Sequence, residues 1–277
     1  MSIAPRKAAR RGIPLRALAP NAVTALALCF GLTGVRFGIS GEWEKAVAAI
    51  IIAGVLDGLD GRIARLLKGE SRFGAELDSL SDVTAFGVAP AIIVYLWVHE
   101  GLADGGAMQV GWVKYGWIFA LAHAVCCALR LARFNAAIDD QDQPHKSAGF
   151  LTGVPAPAGA GMLFLPMYLW MWTGEAALRQ PYVVAPWAAL VAFLMISNLA
   201  TFSWAALRVR RGIRLGLLVG VALFMGSLIS APWPTLSLLV AAYLAAIPFS
   251  VASYGRVRRQ RAEAGGAWPT NETARPD

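Results

Sequence analysis

Charged residues are scarce in this chain, and their scarcity argues against an ordinary soluble protein. Only 15% of the 277 residues are charged, whereas 57% are hydrophobic. Soluble domains average about 25% charged and roughly 45–50% apolar residues. A membrane-crossing helix needs about 20 mainly apolar residues. The composition therefore predicts a protein that crosses the membrane several times.

Cysteine and histidine are also rare, which excludes several kinds of site. The cysteines are Cys29, Cys126 and Cys127, and the histidines are His99, His123 and His145. The cysteines lie in apolar stretches without a CxxC pair or a histidine at metal-ligand spacing, which argues against a disulfide framework or a zinc site. The histidines have no partner at catalytic spacing and are predicted to be structural.

Long apolar segments predict an all-α, polytopic transmembrane bundle of about eight spans. The segments cover about residues 21–40, 46–66, 82–99, 115–134, 151–173, 183–204, 213–230 and 235–253. Because only residues 231–234 separate the last two, a six-span core with a C-terminal hairpin is the alternative. The chain then divides into a basic arm (1–20), a transmembrane domain (21–254) and a polar tail (255–277) with a composition typical of disorder.

The basic residues indicate the orientation of these spans. The net charge of +8 could suggest a nucleic-acid-binding protein, but the basic residues form short clusters between apolar runs, as in cytoplasmic loops. With the N-terminus inside, all but four of the 25 lysines and arginines fall on the cytoplasmic side; the exceptions are Arg36, Lys45, Lys114 and Arg179. Both termini are therefore predicted to be cytoplasmic, and no nucleic-acid partner is expected.

Four aspartates stand out against this apolar background. Asp57 and Asp60 are three residues apart, and Asp78 and Asp82 are four apart, so each pair shares one helical face. A carboxylate in a membrane helix costs about 2.5–3.5 kcal/mol, and four together also repel one another. Bound Mg²⁺ or Mn²⁺ ions would offset both costs, since both ions prefer oxygen ligands. Helix capping is the alternative for Asp78 or Asp82 alone.

The spacing of these residues resembles a known family signature. Asp57-x2-Asp60-Gly61-x2-Ala64-Arg65, eight residues, then Gly74-x3-Asp78-x3-Asp82 matches every fixed position of the CDP-alcohol phosphatidyltransferases. The resemblance implies a helical membrane bundle that transfers a phosphatidyl group from a CDP-linked lipid to an alcohol and releases CMP. It implies that Asp57, Asp60, Asp78 and Asp82 bind two Mg²⁺ or Mn²⁺ ions and that Asp82 is also the general base. It assigns Gly61, Ala64, Arg65 and Gly74 to the CDP site.

Further stretches resemble the phosphatidylserine synthase branch of that family. They are residues 73–91 and 128–137, Pro20-Asn21-x2-Thr24, and the run at 153–157. This branch implies CDP-diacylglycerol and L-serine as substrates, a homodimer, and a bacterial inner membrane protein whose active site faces the cytoplasm. Ser81 and Ala156 depart from the usual residues of the branch. Glycerol 3-phosphate, inositol phosphate or choline as the acceptor remains an alternative, as does a cation-coupled transporter.

Polar residues near the predicted cytoplasmic face are candidates for substrate binding. Arg130 and Arg133 lie on one face of the fourth span with Asn135 just beyond, and we hypothesise that they bind the serine carboxylate or the donor phosphates. Positive-inside anchoring is the alternative for either arginine. Asn21 and Thr24 are candidates for the donor phosphates, and capping of the first span is an equal alternative for Asn21.

Overall fold

The computed structural model describes residues 15–102, 107–136, 150–202 and 214–263, and this part of the chain is almost wholly helical. Helix α1 is Leu15–Ile39 and α2 is Trp43–Leu67; α3, Arg72–Asp82, continues through a π-helix, Val83–Val88, into α4, Ala89–Gly101. The short helix α5, Ala107–Gly111, leads through a second π-helix, Trp112–Gly116, into α6, Trp117–Ala136. The C-terminal part comprises β1 Phe150–Thr152, α7 Ala156–Leu163, α8 Leu165–Thr173, a 3₁₀ turn Ala176–Arg179, α9 Pro181–Ile196, β2 Ala200–Phe202, α10 Arg214–Ser230 and α11 Pro232–Glu263.

Several of these helices are long and apolar enough to cross a membrane. Four candidate spans meet that condition within the described residues: Leu18–Ile39, Arg72–Gly101, Met108–Ala136 and Pro232–Ser253. Two shorter apolar helices are Pro181–Ile196 and Leu215–Ser230. The prediction of a helical integral membrane protein is confirmed, whereas the count of eight spans and the cytoplasmic termini stay predictions.

The structure agrees with the all-α class and adds detail to the predicted bundle. A small antiparallel sheet of two three-residue strands joins β1 to β2, with Leu151 opposite Thr201. The predicted sixth span, 183–204, is too long because α9 ends at Ile196 and the chain then turns into β2. Gly153, just after β1, lies close against this turn: its φ is +72°, and a Cβ there would lie 2.7 Å from the Met195 carbonyl oxygen.

Small residues bring the N-terminal helices close together. A Cβ on Gly31 of α1 would lie 2.9 Å from Ala85 of the first π-helix, and one on Gly34 would lie 3.1 Å from the Ala46 carbonyl oxygen of α2. These close contacts hold α1 against both helical segments that carry the aspartates. The largest fully buried side chains include Trp97, Phe86 and Tyr168. Phe86 and Trp97 follow Asp82 along the α3–α4 segment, so this segment runs from the acidic cluster into the core.

An arginine, Arg179, lies among three tryptophan rings near the C-terminal end of α4. Arg179 lies 5.2–5.7 Å from the ring centroids of Trp43, Trp97 and Trp170. Its Nε donates to the Trp97 carbonyl oxygen at 2.6 Å, and Glu100 is 3.5 Å from its guanidinium. Burial lowers the pKa of Arg179, although Glu100 opposes that shift. Arg179 thus ties the α8–α9 connection to α2 and α4 through cation–π contacts.

Candidate metal centre

Helices α2 and α3 bring three of the four aspartates together. One carboxylate oxygen each from Asp57, Asp60 and Asp78 lies within 4.8 Å of the others. Asp60 is buried, with 5% of its surface exposed, and Asp57 and Asp78 are half-buried. The pairing of two acidic helix faces, which the spacing predicts, is therefore present in the folded chain.

Asp82 lies beside this group rather than within it. Its carboxylate is within hydrogen-bonding reach of Asp57, yet it is not one of the three whose oxygens converge. Its Oδ1 is buried and has no hydrogen-bond partner among the described residues. An acceptor that is buried without a donor calls for a proton or a cation. Asp82 is thus placed differently from the other three carboxylates.

The ligand atoms of the cluster are of the kind that bind divalent metal ions. All four side chains offer carboxylate oxygens, which are the preferred ligands of Mg²⁺ and Mn²⁺. Asp57 and Asp82 cannot both be charged at hydrogen-bonding distance without a proton or a cation between them, and the unpartnered Asp82 Oδ1 adds a free ligand atom. The residues present therefore suit a site for divalent cations.

Thr24 of α1 supports the cluster directly. Its hydroxyl donates to Asp60 Oδ2 at 2.6 Å and lies 3.1 Å from the Pro20 carbonyl oxygen. Ser81 donates in turn to the Thr24 carbonyl oxygen at 3.3 Å, and both residues are buried. Thr24 was expected to contact the donor phosphates, but its hydroxyl is engaged with Asp60. The role of Ser81 was missed, because its partner is 57 residues away in the chain.

Asn21 and Gly74 also meet across α1 and α3. A Cβ on Gly74 would lie 2.8 Å from Asn21 Oδ1 and 3.2 Å from Ser71 Oγ. Ser71 is the N-cap of α3 and accepts from the Gly74 N–H at 3.0 Å. The capping alternatives are therefore wrong: Ser71 caps α3 instead of an aspartate, and Asn21 lies inside α1, which begins at Leu15.

The remaining signature residues lie along the open side of α2. A Cβ added at Gly61 would meet nothing within 4 Å, and the same holds for Gly58. Ala64 is half-buried and Arg65, in the last turn of α2, is exposed. This side of α2 therefore leaves space next to the aspartates, and Arg65 lies within one turn of Gly61 along the same helix.

The three candidate residues for the acceptor have different surroundings. Arg130 is half-buried, interacts electrostatically with Asp82, and has a buried Nε without a hydrogen-bond partner among the residues described. Arg133 donates to the side chain of Asn198 and, at 3.4 Å, to the Ile196 carbonyl oxygen. Asn135 donates to Ser79 Oγ at 2.8 Å. Arg130 interacts with Asp82, whereas Arg133 holds the end of α9 and Asn135 joins α6 to α3.

The sequence predicts ligand binding or positive-inside anchoring for Arg133 and ligand binding for Asn135, but not the contacts that these two side chains make within the protein. Asn198 and Ser79, their partners, carry no signal in the sequence, since each lies more than 50 residues away along the chain. Lys146, which the sequence offers as a weaker candidate for phosphate binding in the loop after the fourth span, lies outside the described residues. The same holds for His145 and for Arg6, Lys7, Arg10 and Arg11 of the N-terminal arm.

Comparison with known proteins agrees with the signature. A family model described as CDP-alcohol phosphatidyltransferase matches residues 17–197, and a second, described as CDP-alcohol phosphatidyltransferase 2, matches residues 213–248. A protein of Mycobacterium tuberculosis is 37% identical over 244 residues, covering 88% of this chain and 81% of its own. One from Mycobacterium leprae is 35% identical over 246 residues (89% and 78%), and one from Helicobacter pylori is 31% identical over 233 residues (82% and 88%). All three are named CDP-diacylglycerol–serine O-phosphatidyltransferase.

Proposed function

Because the chain belongs to the CDP-alcohol phosphatidyltransferase family, we propose that it transfers the phosphatidyl group of CDP-diacylglycerol to L-serine. The products are phosphatidylserine and CMP. The observation that carries this function is the convergence of Asp57, Asp60 and Asp78 beside Asp82 on two apolar helical segments. The names of the relatives support serine as the acceptor over glycerol 3-phosphate, inositol phosphate or choline.

The aspartates would hold two Mg²⁺ or Mn²⁺ ions, which stabilise the negative charge that develops on the diphosphate during transfer. Asp57, Asp60 and Asp78 provide the converging oxygens. Thr24 keeps Asp60 oriented through its hydrogen bond at 2.6 Å. The donor headgroup would lie along α2, where Gly61 leaves open space and Arg65 provides a positive charge.

Asp82 is the residue best placed to act as general base. The serine hydroxyl oxygen forms a bond to the phosphorus that bears the diacylglycerol, the bond from that phosphorus to the CMP oxygen breaks, and the hydroxyl proton passes to Asp82. Its buried, unpartnered Oδ1 is free to accept that proton. A base must lie within hydrogen-bonding reach of the proton that it removes.

Arg130 is the stronger candidate for the serine carboxylate. It is half-buried, interacts with Asp82 and has an unused Nε among the described residues, so a carboxylate bound there would lie near the general base. Arg133 already donates to the end of α9. We therefore assign acceptor binding to Arg130 and a structural role to Arg133.

The membrane setting that we propose follows from the charge pattern. The acidic cluster lies at the cytoplasmic face of a bacterial inner membrane, where serine and CMP exchange with the cytosol, and the basic clusters flank it in sequence. We also propose a homodimer, as the family resemblance implies. Crosslinking in native membranes tests the dimer, and modification of single cysteines introduced at positions 68 and 174 tests the sidedness.

CMP release from CDP-diacylglycerol tests the function directly. Purified protein is incubated with the lipid, Mn²⁺ or Mg²⁺, and one alcohol at a time. Release that depends on serine is expected. Release with glycerol 3-phosphate but not with serine would reassign the acceptor, and no release with any alcohol would refute the enzyme assignment.

The role of Asp82 is tested by Asp82→Asn, with Asp78→Asn for comparison. We expect Asp82→Asn to abolish turnover while it retains most Mn²⁺ binding, measured by electron paramagnetic resonance. Asp78→Asn should weaken Mn²⁺ binding itself, because it removes one of the three converging carboxylates. Turnover near that of the wild type in Asp82→Asn would contradict the general-base role.

A further inference from the structure

The helix that carries Asp82 changes its winding immediately after that residue. Residues Val83–Val88 form a π-helix between α3 and α4, with the Ala89 N–H donating to the Thr84 carbonyl oxygen, five residues back. A π-helical turn holds more residues than an α-helical turn and rotates the flanking helices relative to each other. The π-helical segment 83–88 therefore determines how Asp78 and Asp82 are oriented relative to the core-facing residues of α4.

Pro90 removes one backbone hydrogen bond from this segment. The α-helical donor to the Phe86 carbonyl oxygen would be residue 90, which is Pro90 and has no N–H. The proline ring would also collide with that carbonyl in a regular α-helix. The Phe86 carbonyl therefore lacks its regular α-helical donor, and because Phe86 is 2% exposed, a further donor from within the fold is favourable there.

His123 of α6 provides a donor at this position. Its Nε2 lies 3.2 Å from the Phe86 carbonyl oxygen, and the imidazole is fully buried. Because a carbonyl oxygen only accepts, Nε2 carries the proton. The other nitrogen, Nδ1, has no hydrogen-bond partner among the described residues. His123, which the sequence predicts to be structural, thus makes one specific contact, and that contact is with the π-helical segment.

Close packing on both sides makes that contact possible. A Cβ on Gly87 would lie 3.0 Å from Cys127 Cβ, one helical turn after His123 on α6. On the opposite side, Gly31 of α1 presses against Ala85. The π-helical segment is therefore held between α6 and α1, and Arg130 of the same α6 interacts electrostatically with Asp82.

We propose that His123 is a positioning residue for the proposed phosphatidyl transfer, acting through the Phe86 carbonyl to hold the π-helical segment and thereby the orientation of Asp78 and Asp82. This inference rests on the proposed function. His123 itself does not touch the reacting atoms. Its loss should therefore weaken metal binding and lower turnover together, in proportion to the displacement of the aspartates.

The test compares His123→Met with His123→Gln, whose side chains have the same length but differ in the N–H donor. We expect His123→Met to raise the half-saturating Mn²⁺ concentration roughly tenfold, as loss of a supporting hydrogen bond commonly does at metal sites. His123→Gln should stay close to the wild type. His99→Met is the control, since His99 stacks on Tyr95 in α4 and its ring contact is outside segment 83–88.

Pro90→Ala provides an independent rescue, because it restores a backbone N–H four residues after Phe86. Pro90→Ala combined with His123→Met should recover most of the lost Mn²⁺ affinity, and the two changes should be strongly non-additive. Hydrogen exchange at residues 83–91 should rise in His123→Met and fall again in the double variant. This exchange readout does not depend on the metal or the substrates.

The outcomes separate this inference from the proposed function. A wild-type protein that releases no CMP refutes the function. If the wild-type protein releases CMP but His123→Met leaves the Mn²⁺ affinity and the hydrogen exchange unchanged, the positioning role alone is refuted. Should His123→Met fail to fold, the double variant decides: a folded double variant with restored Mn²⁺ affinity supports the role, whereas one that is unfolded or still impaired overturns it.

Discussion

The hydrogen bond from Thr24 to Asp60 gives the sharpest quantitative prediction for the metal centre. Both side chains are buried, at 4% and 5% exposure, and the donor and acceptor are 2.6 Å apart. Thr24→Val keeps the shape of the side chain but removes the hydroxyl. A hydrogen bond to a charged group contributes about 1.5–3 kcal/mol. Since each 1.4 kcal/mol is a factor of ten, Mn²⁺ affinity should fall roughly ten- to a hundredfold.

Mn²⁺ titration of CMP release, together with direct Mn²⁺ binding, measures this loss. Thr24→Ser retains the hydroxyl and should stay near the wild type. Thr33→Val is the matched control on the same helix, because the Thr33 hydroxyl donates only to the Cys29 carbonyl oxygen and is exposed. An unchanged Mn²⁺ midpoint in Thr24→Val would refute the supporting role of Thr24, and an equal loss in Thr33→Val would trace the effect to α1 as a whole.

Three further predictions concern the open side of α2, the end of α6 and the metal. Gly61→Ala should leave the folded state intact, because its Cβ meets no protein atom within 4 Å, but should raise the KM for CDP-diacylglycerol, because that Cβ would occupy the space proposed for the donor headgroup; Gly220→Ala in α10, equally free of contacts, is the control and should match the wild type. Arg133→Gln should lower the melting temperature without changing the KM for serine, since Arg133 holds the end of α9; a raised KM would restore it to the acceptor site. Chelation with EDTA should stop CMP release, and Mn²⁺ should restore it; release that persists would exclude a metal requirement.

The residues of the candidate metal centre were identifiable from the sequence because the pattern that marks them is local. Pairs of aspartates three or four residues apart share a helical face whatever the rest of the chain does. Their cost in an apolar segment likewise depends only on composition. Asp57, Asp60 and Asp78 therefore converge as the spacing predicted. The membrane-protein class follows from the same local hydropathy.

Contacts between distant segments were not predictable in the same way. The Thr24–Asp60 hydrogen bond joins residues 36 apart, and the His123–Phe86 contact joins residues 37 apart. Nothing in the local pattern of Thr24 distinguishes a phosphate ligand from a partner of Asp60. Arg130 and Arg133 look equivalent in sequence, yet one interacts with Asp82 and the other with the end of α9.

The sequence alone thus determined which residues are candidates for the chemistry, because helical periodicity and the cost of charge in an apolar segment act over a few residues. Only the tertiary structure decided which residues hold them in place. Close approach at Gly31, Gly74 and Gly87 sets which side chains can meet across helices. The π-helical turn after Asp82, with Pro90 and His123 on either side of the Phe86 carbonyl, is the clearest case, since its orientation depends on α6 as much as on its own residues.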